Sequence, residues 1–174
     1  PKLPGSGMFN HAIVFVAYKE LLWLAPPDVY DRLGVLPVED QGRHALVISS
    51  ATSDLTNTPE STASDNRVIR NVDVRLSNSG KGTVRESLEA YGGFELAMRS
   101  TYSGDDRETR TAVERLAKNS FGAGSLGDFS CTKKGDFSQP FRLVLEARES
   151  TAAITGLQDA VVRLSNSFLF ENLP

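Results

Sequence analysis

Arg67-Val68-Ile69-Arg70-Asn71-Val72-Asp73-Val74-Arg75-Leu76 is the stretch that decides the fold. Val68, Val72, Val74 and Leu76 share one parity, while Arg67, Asn71, Asp73 and Arg75 share the other. Such two-residue alternation marks a strand with one face in a core and the other in water, as antiparallel sheets allow. Asn78-Ser79-Gly80-Lys81-Gly82 follows with residues that tolerate positive φ, which predicts a turn. Thr83 to Tyr91 then returns as the partner strand, with Val84 and Leu88 inward and Tyr91 as a third inward candidate.

Further along, Gly92-Gly93 punctuates the chain and a helix starts over Phe94 to Arg99. A second helix is expected over 107–119, because Ala112, Val113, Leu116 and Ala117 recur at three- and four-residue spacings. Asp105-Asp106 at its head and Lys118 near its end suit the helix macrodipole, and Gly122-Ala123-Gly124 stops it. Strands are expected over 127–132, 141–147 and 157–164. The fold class is therefore α+β: antiparallel strands with one or two helices inserted between them.

Upstream of the opening stretch, residues 51–66 are rich in Ser, Thr, Asn and Asp, side chains that compete for backbone hydrogen bonds, and read as a linker. Before it the chain is again β. His11 to Tyr18 and Leu21 to Leu24 form a hairpin around Lys19-Glu20, and His44 to Ile48 is a short buried strand. Pro26, Pro27 and Pro37 impose extended, ladder-breaking chain between them. The expected division is thus 1–50, a linker over 51–66, and a β-rich α+β domain over 67–174.

Composition narrows the function classes. The 174 residues carry a formal charge of −3 and 40% hydrophobic residues, enough for a core and a poor match to nucleic acid. No apolar run approaches the roughly 20 residues that span a bilayer. A single cysteine, Cys131, excludes an internal disulfide and any multi-cysteine metal site. The two histidines, His11 and His44, stand far apart without an acid cluster at ligand spacing. The sequence calls for no metal and no cofactor. It begins at Pro1 without a methionine and is expected to be a piece of a longer protein.

Phe9-Asn10-His11-Ala12-Ile13-Val14, Trp23-Leu24, Asp28, Gly34, Leu36-Pro37, Asp40-Gln41-Gly42-Arg43, and Thr58-Pro59-Glu60-Ser61 with Asp65-Asn66 form an ordered string. It resembles the C-terminal half of bacterial transglutaminase-like proteins, which combine a papain-like core with flanking β-rich domains. The motifs cover residues 8 to 66; beyond them only the order of elements matches. The resemblance implies that residues 1–50 are the last strands of such a core and 67–174 an accessory β-rich domain. It also implies an extracytoplasmic or periplasmic location, and a protein or peptide substrate engaged through the core's upstream part.

In that family a cysteine nucleophile, a histidine base and an orienting aspartate act together. The thiolate attacks an amide carbonyl, imidazole carries the proton, and the acid fixes the tautomer. His11 matches the histidine. Ala25 stands where the aspartate after Trp-Leu belongs, and the matching cysteine position falls before residue 1. Asp28 is the substitute acid the sequence offers, although capping the turn after Pro26-Pro27 accounts for it more simply. By itself the chain is therefore expected to be non-catalytic.

The remaining signals have plainer readings. Cys131, between Ser130 and Thr132-Lys133-Lys134, reads as a small hydrophobe in a strand rather than a nucleophile. His44 reads as a strand-edge residue. Gly122 to Gly127 follows a helix and precedes a strand, the reverse of a phosphate-binding turn. Asp105, Asp106 and Glu108 read as a solvated helix start rather than a cation site. The competing functional class is a non-catalytic module that binds a peptide or glycan, with Phe168-Leu169-Phe170 as a docking segment. The sequence leaves the oligomeric state open.

Overall fold

A computed structural model describes residues 9, 11–17, 21–24 and 32–163. The chain divides into two compact units. The first holds the described residues up to Val68, with Ala90–Ser100 and Lys134–Phe141; the second holds Ile69–Glu89, Thr101–Lys133 and the described residues from Arg142 on. The α+β class is as expected: short antiparallel pairs, a five-stranded sheet and two helices. No described helix is long and apolar enough to cross a membrane.

In the first unit, strands β1 (Val14–Ala17) and β2 (Leu21–Leu24) pair antiparallel in the register Val14↔Leu24 to Ala17↔Leu21. The hairpin expected from the sequence is present, but it is short and one-sided. Phe15 and Trp23 stand opposite each other with ring centroids 4.8 Å apart, and Trp23 is buried. Val14 and Val16 are exposed. His11 precedes the ladder rather than entering it, so its neighbours do not seal it from water. Tyr18, Ala25, Asp28 and Phe168 to Phe170 lie outside the described residues.

A 3-10 helix, Val38–Asp40, follows Pro37, whose fixed φ of −49° sets the entry. Strands β3 (His44–Ala45) and β4 (Thr56–Asn57) then pair antiparallel. The stretch read as a linker therefore carries a strand, and it buries Thr58 directly after it. Its polar side chains are used inward: Asn66 takes Gly93 N–H on Oδ1 and donates from Nδ2 to Gln41. Helix α1 (Gly93–Thr101) starts close against the 3-10 turn. A Cβ at Gly93 would lie 2.6 Å from Val38 Cγ2 and 3.0 Å from its backbone N, so only glycine permits that approach.

The second unit is built on a sheet in the order β5-β6-β8-β7, with β9 also paired to β8. Its strands are β5 (Val68–Arg75), β6 (Gly80–Ala90), β7 (Ser125–Cys131), β8 (Phe141–Thr155) and β9 (Ala160–Val162). Val84, Glu86, Leu88 and Ala90 alternate inward along β6, as expected of Val84 and Leu88. On the edge strand β5 the alternation is only half used, since Val72 and Leu76 remain exposed beside half-buried Arg70 and Val74.

Helix α2 (Asp106–Phe121) packs on β7 and buries Val113, Ala117 and Phe121. Its first turn is closed by a capping box: Asp105 accepts from the N–H groups of Arg107 and Glu108, and Glu108 accepts from Asp105 N–H. Gly122 ends it in the left-handed conformation at φ 57°.

Strand β8 is twice as long as its expected range. Phe141, Leu143, Leu145 and Ala147 point inward, then Glu149 sits at φ 51° and the buried residues beyond it are Ser150, Ala152 and Ala153. This irregularity breaks the alternation, and a two-residue period cannot be followed across it.

Candidate functional site

The string Asp40-Gln41-Gly42-Arg43 sits where the 3-10 helix runs into β3, and three of its residues have internal work. Gln41, 9% exposed, donates from Nε2 to Leu36 O at 2.7 Å. Its Oε1 accepts from Ser61 N at 3.1 Å and Asn66 Nδ2 at 2.7 Å. Gly42 takes the turn at φ 63°. Arg43 donates from Nε to Glu39 O at 2.9 Å, and its backbone N donates to Thr58 Oγ1 at 2.8 Å. Thr58 in turn donates to Asp40 O at 2.6 Å.

Asp40 is thereby fixed through its backbone while its carboxylate is left for something else. Asp40 Oδ2 lies 3.4 Å from His11 Nε2. The imidazole is half exposed and the carboxylate side chain only 17% exposed. The contact is an ion-pair approach and not a hydrogen bond. Sequence reading selected His11 and sought an acid near Trp23-Leu24; the acid found beside the ring is Asp40. Asp28, the acid named there, lies outside the described residues, as does Ala25.

A second group of charges in this unit has a buried centre and a partly exposed edge at Arg32. Glu95 and Arg99 on α1 are buried, one helical turn apart. Glu95 Oε1 accepts from Arg99 Nε at 2.8 Å and from Arg32 Nη2 at 3.0 Å; its Oε2 accepts from Arg32 Nε at 2.9 Å. The remaining donors go to carbonyls. Arg99 reaches Lys134, Asp136 and Gln139, and Arg32 reaches Phe137 and Gln139. Both guanidinium groups also face the Phe137 ring, 4.9 and 5.8 Å from its centroid. Serine and glutamine donors at Ser138 and Gln139 hold the Asp136 carboxyl down at about 2. The cluster pins a loop.

The second unit places Glu86, Arg70, Tyr102 and Cys131 in one electrostatic neighbourhood. Arg70 donates to Glu86 Oε1 through Nε at 2.5 Å and also through Nη2. Glu86 is 1% exposed, and its Oε2 has no hydrogen-bond partner among the described residues. Burial raises the Glu86 carboxyl above its ordinary range, against the opposing pull of Arg70. Burial, with Glu86 and Cys131 adding to it, pushes Tyr102 up to about 12. At 1% exposure Glu86 is closed to a substrate, so this group is structural.

The other candidates are plain. Cys131 is half buried, with Sγ 3.5 Å from Thr132 O, and belongs to a different unit from His11. His44 Nδ1 meets Asn57 Oδ1 at 2.7 Å across the β3–β4 pair, an exposed strand contact. Asp105 and Glu108 are the capping box already described. Among the described residues no three His, Cys, Asp or Glu side chains are grouped to hold a metal ion. The chain matches no protein-family model, no curated protein and no solved structure.

Proposed function

We propose that this chain is the C-terminal part of a transglutaminase-like protein: the tail of a papain-like core, carrying the base His11, followed by a β-rich accessory domain. The half-exposed His11 imidazole facing a sheltered carboxylate carries this reading, because the motif string that supplies both residues also resembles that family. The nucleophilic thiol belongs to the core upstream of residue 1.

The chemistry this assigns to His11 is proton transfer. Imidazole takes the thiol proton, and sulfur bonds to an amide carbonyl carbon. The C–N bond then breaks as the imidazolium proton passes to the departing amine. An incoming amine or water gives its proton to the imidazole and releases the acyl group from sulfur.

Residues 1–174 therefore show no amide hydrolysis or amine-incorporating activity by themselves. A longer encoded polypeptide that includes the upstream thiol incorporates a fluorescent primary amine into a glutamine-containing protein, or hydrolyses the amide, and loses this with His11→Ala. Turnover by residues 1–174 alone that His11→Ala abolishes would contradict the assignment of the nucleophile.

A further inference from the structure

We infer that the segment Phe168-Leu169-Phe170 docks within its own chain, seating both phenylalanine rings in an apolar trough on the core side of the five-stranded sheet. The trough lies wholly in the second unit. It shares no residue with the His11 site and does not depend on the function proposed for that site.

Register places its walls and floor. Arg70 meets Glu86, so Val72 and, just past the strand, Leu76, which share the parity of Arg70, lie on the same side as Val84, Glu86 and Leu88. Gly82 belongs to that same set on β6. A Cβ there would lie 2.5 Å from Arg75 O and 2.8 Å from Ala153 Cβ, so the position admits only glycine. Ala153 is paired with Val162 on β9, which therefore stands on the same side. Buried Gly82 and Ala153 form a low floor with almost no side chain. Val72 at 43%, Leu76 at 49% and Val162 at 41% exposure rise beside it as aliphatic walls.

Helix α2 does not cover this end of the sheet. It packs on β7, which pairs with β8 only as far as Arg148, and its last residue, Phe121, accepts from Ser150 Oγ at 2.6 Å. It therefore stops short of Ala153. Three exposed aliphatic side chains around a glycine floor make a contiguous apolar surface, and such a surface calls for an occupant.

The chain supplies one at the right distance. Arg163 N–H donates to Ala152 O at 2.7 Å, so the chain leaves β9 alongside β8. Gly82 lies against one edge of β8 and β9 pairs with the other, so the far wall on β5 is three strand spacings from β9, about 14 Å. Residues 164–168, when extended, span about 17 Å, which brings Phe168 to either wall. Ser165-Asn166-Ser167 before the triplet and Glu171-Asn172 after it are polar, so the apolar content is concentrated where the trough can be reached. In an extended segment residues two apart face the same way, which points both rings into the trough and Leu169 away. Aromatic rings also carry the largest apolar area per side chain for a floor that offers none.

Residues 1–174, isotope-labelled at valine and leucine methyls, test the docking by NMR. The Val72 and Leu76 methyls should show cross-peaks to phenylalanine ring protons that disappear in the Phe168→Leu, Phe170→Leu double variant and do not change on dilution. Ile154 and Val161, cross-strand partners on the opposite side, should show none. Missing cross-peaks at Val72 and Leu76 overturn the inference, as do cross-peaks at Ile154 or Val161 instead. Cross-peaks that fade on dilution overturn it in favour of a second copy as the source of the rings.

Limited proteolysis reads the same contact from the segment's side. Leu76 is exposed, so Leu76→Gln leaves the sheet folded and removes only a wall. Chymotryptic cleavage at residues 168–170 should then accelerate by about tenfold, whereas Ile154→Gln on the opposite side leaves it unchanged. A cleavage rate that ignores Leu76→Gln, or responds equally to Ile154→Gln, overturns the inference.

Discussion

Glu95 and Glu86 are buried almost equally, at 4% and 1% exposure, yet their surroundings differ. Both oxygens of Glu95 are engaged, by a forked approach from Arg32 and by Arg99, whose Nε and Nη2 both meet Oε1. On Glu86 both donors of Arg70 converge on Oε1, and Oε2 is left buried without a partner. The comparison separates two uses of a buried charge. A carboxylate met by two guanidinium groups, whose spare donors reach loop carbonyls, organises chain that has no ladder of its own. A carboxylate met by one is a local cost that its sheet tolerates.

Arg99 is where the comparison breaks most severely. Arg99→Met keeps the volume but removes three hydrogen bonds to the 134–139 carbonyls and one partner from Glu95. Breaking a fully buried pair costs about 3–5 kcal/mol, and this variant should lose that much in urea unfolding. Amide exchange over 134–139 should accelerate with it. A loss below about 1 kcal/mol would show that Arg32 alone holds the loop. Arg70→Met comes next, because it leaves Glu86 buried with no counter-charge. Arg70 is 21% exposed, so water can partly replace it, and the expected loss is about 2–3 kcal/mol in the same assay.

These two clusters also show how far the sequence could be read. Arg70 shares parity with Val68, Val72 and Val74, and Glu86 shares parity with Val84 and Leu88. An opposite-charge pair on the inward faces of two hairpin-connected strands was therefore legible. It was passed over because charged residues are taken to face outward by default. The Glu95–Arg99 spacing was visible too, but nothing in the sequence said that this helix face would be covered by a loop about forty residues away.

Helix α2 was readable because its caps and its period agree. Strand β8 was readable only to Ala147, because the positive φ of Glu149 breaks its alternation. His11 was found from its motif. Its contact with Asp40 was not legible, because the fold and not the chain order places that acid beside the ring.

Arg32→Ala tests whether the second arginine matters. It removes the forked contact from Glu95 and two carbonyl contacts, yet Arg99 remains on Oε1 and Arg32 is 35% exposed. The expected loss is about 1–2 kcal/mol, smaller than for either variant above. A loss equal to that of Arg99→Met would mean that the cluster fails as a unit, which a double-variant cycle would show as strong non-additivity.

Glu86→Gln has the smallest effect and the most diagnostic sign. The folded-state carboxyl of Glu86 titrates above its ordinary value of 4.5, chiefly because it is buried. Between 4.5 and that raised value, the folded protein keeps a proton that the unfolded chain has released. Within this window the Glu86 contribution to stability is greatest at the acid end and declines as pH rises. Glutamine retains an acceptor for Arg70 and removes the titration. The variant should match the unaltered protein below the window and become relatively more stable through it, by no more than about 1 kcal/mol. Thermal unfolding of both proteins across the window measures that difference. A difference that narrows with rising pH would mean that Arg70 outweighs burial, and that Glu86, like Glu95, is held as a satisfied anion.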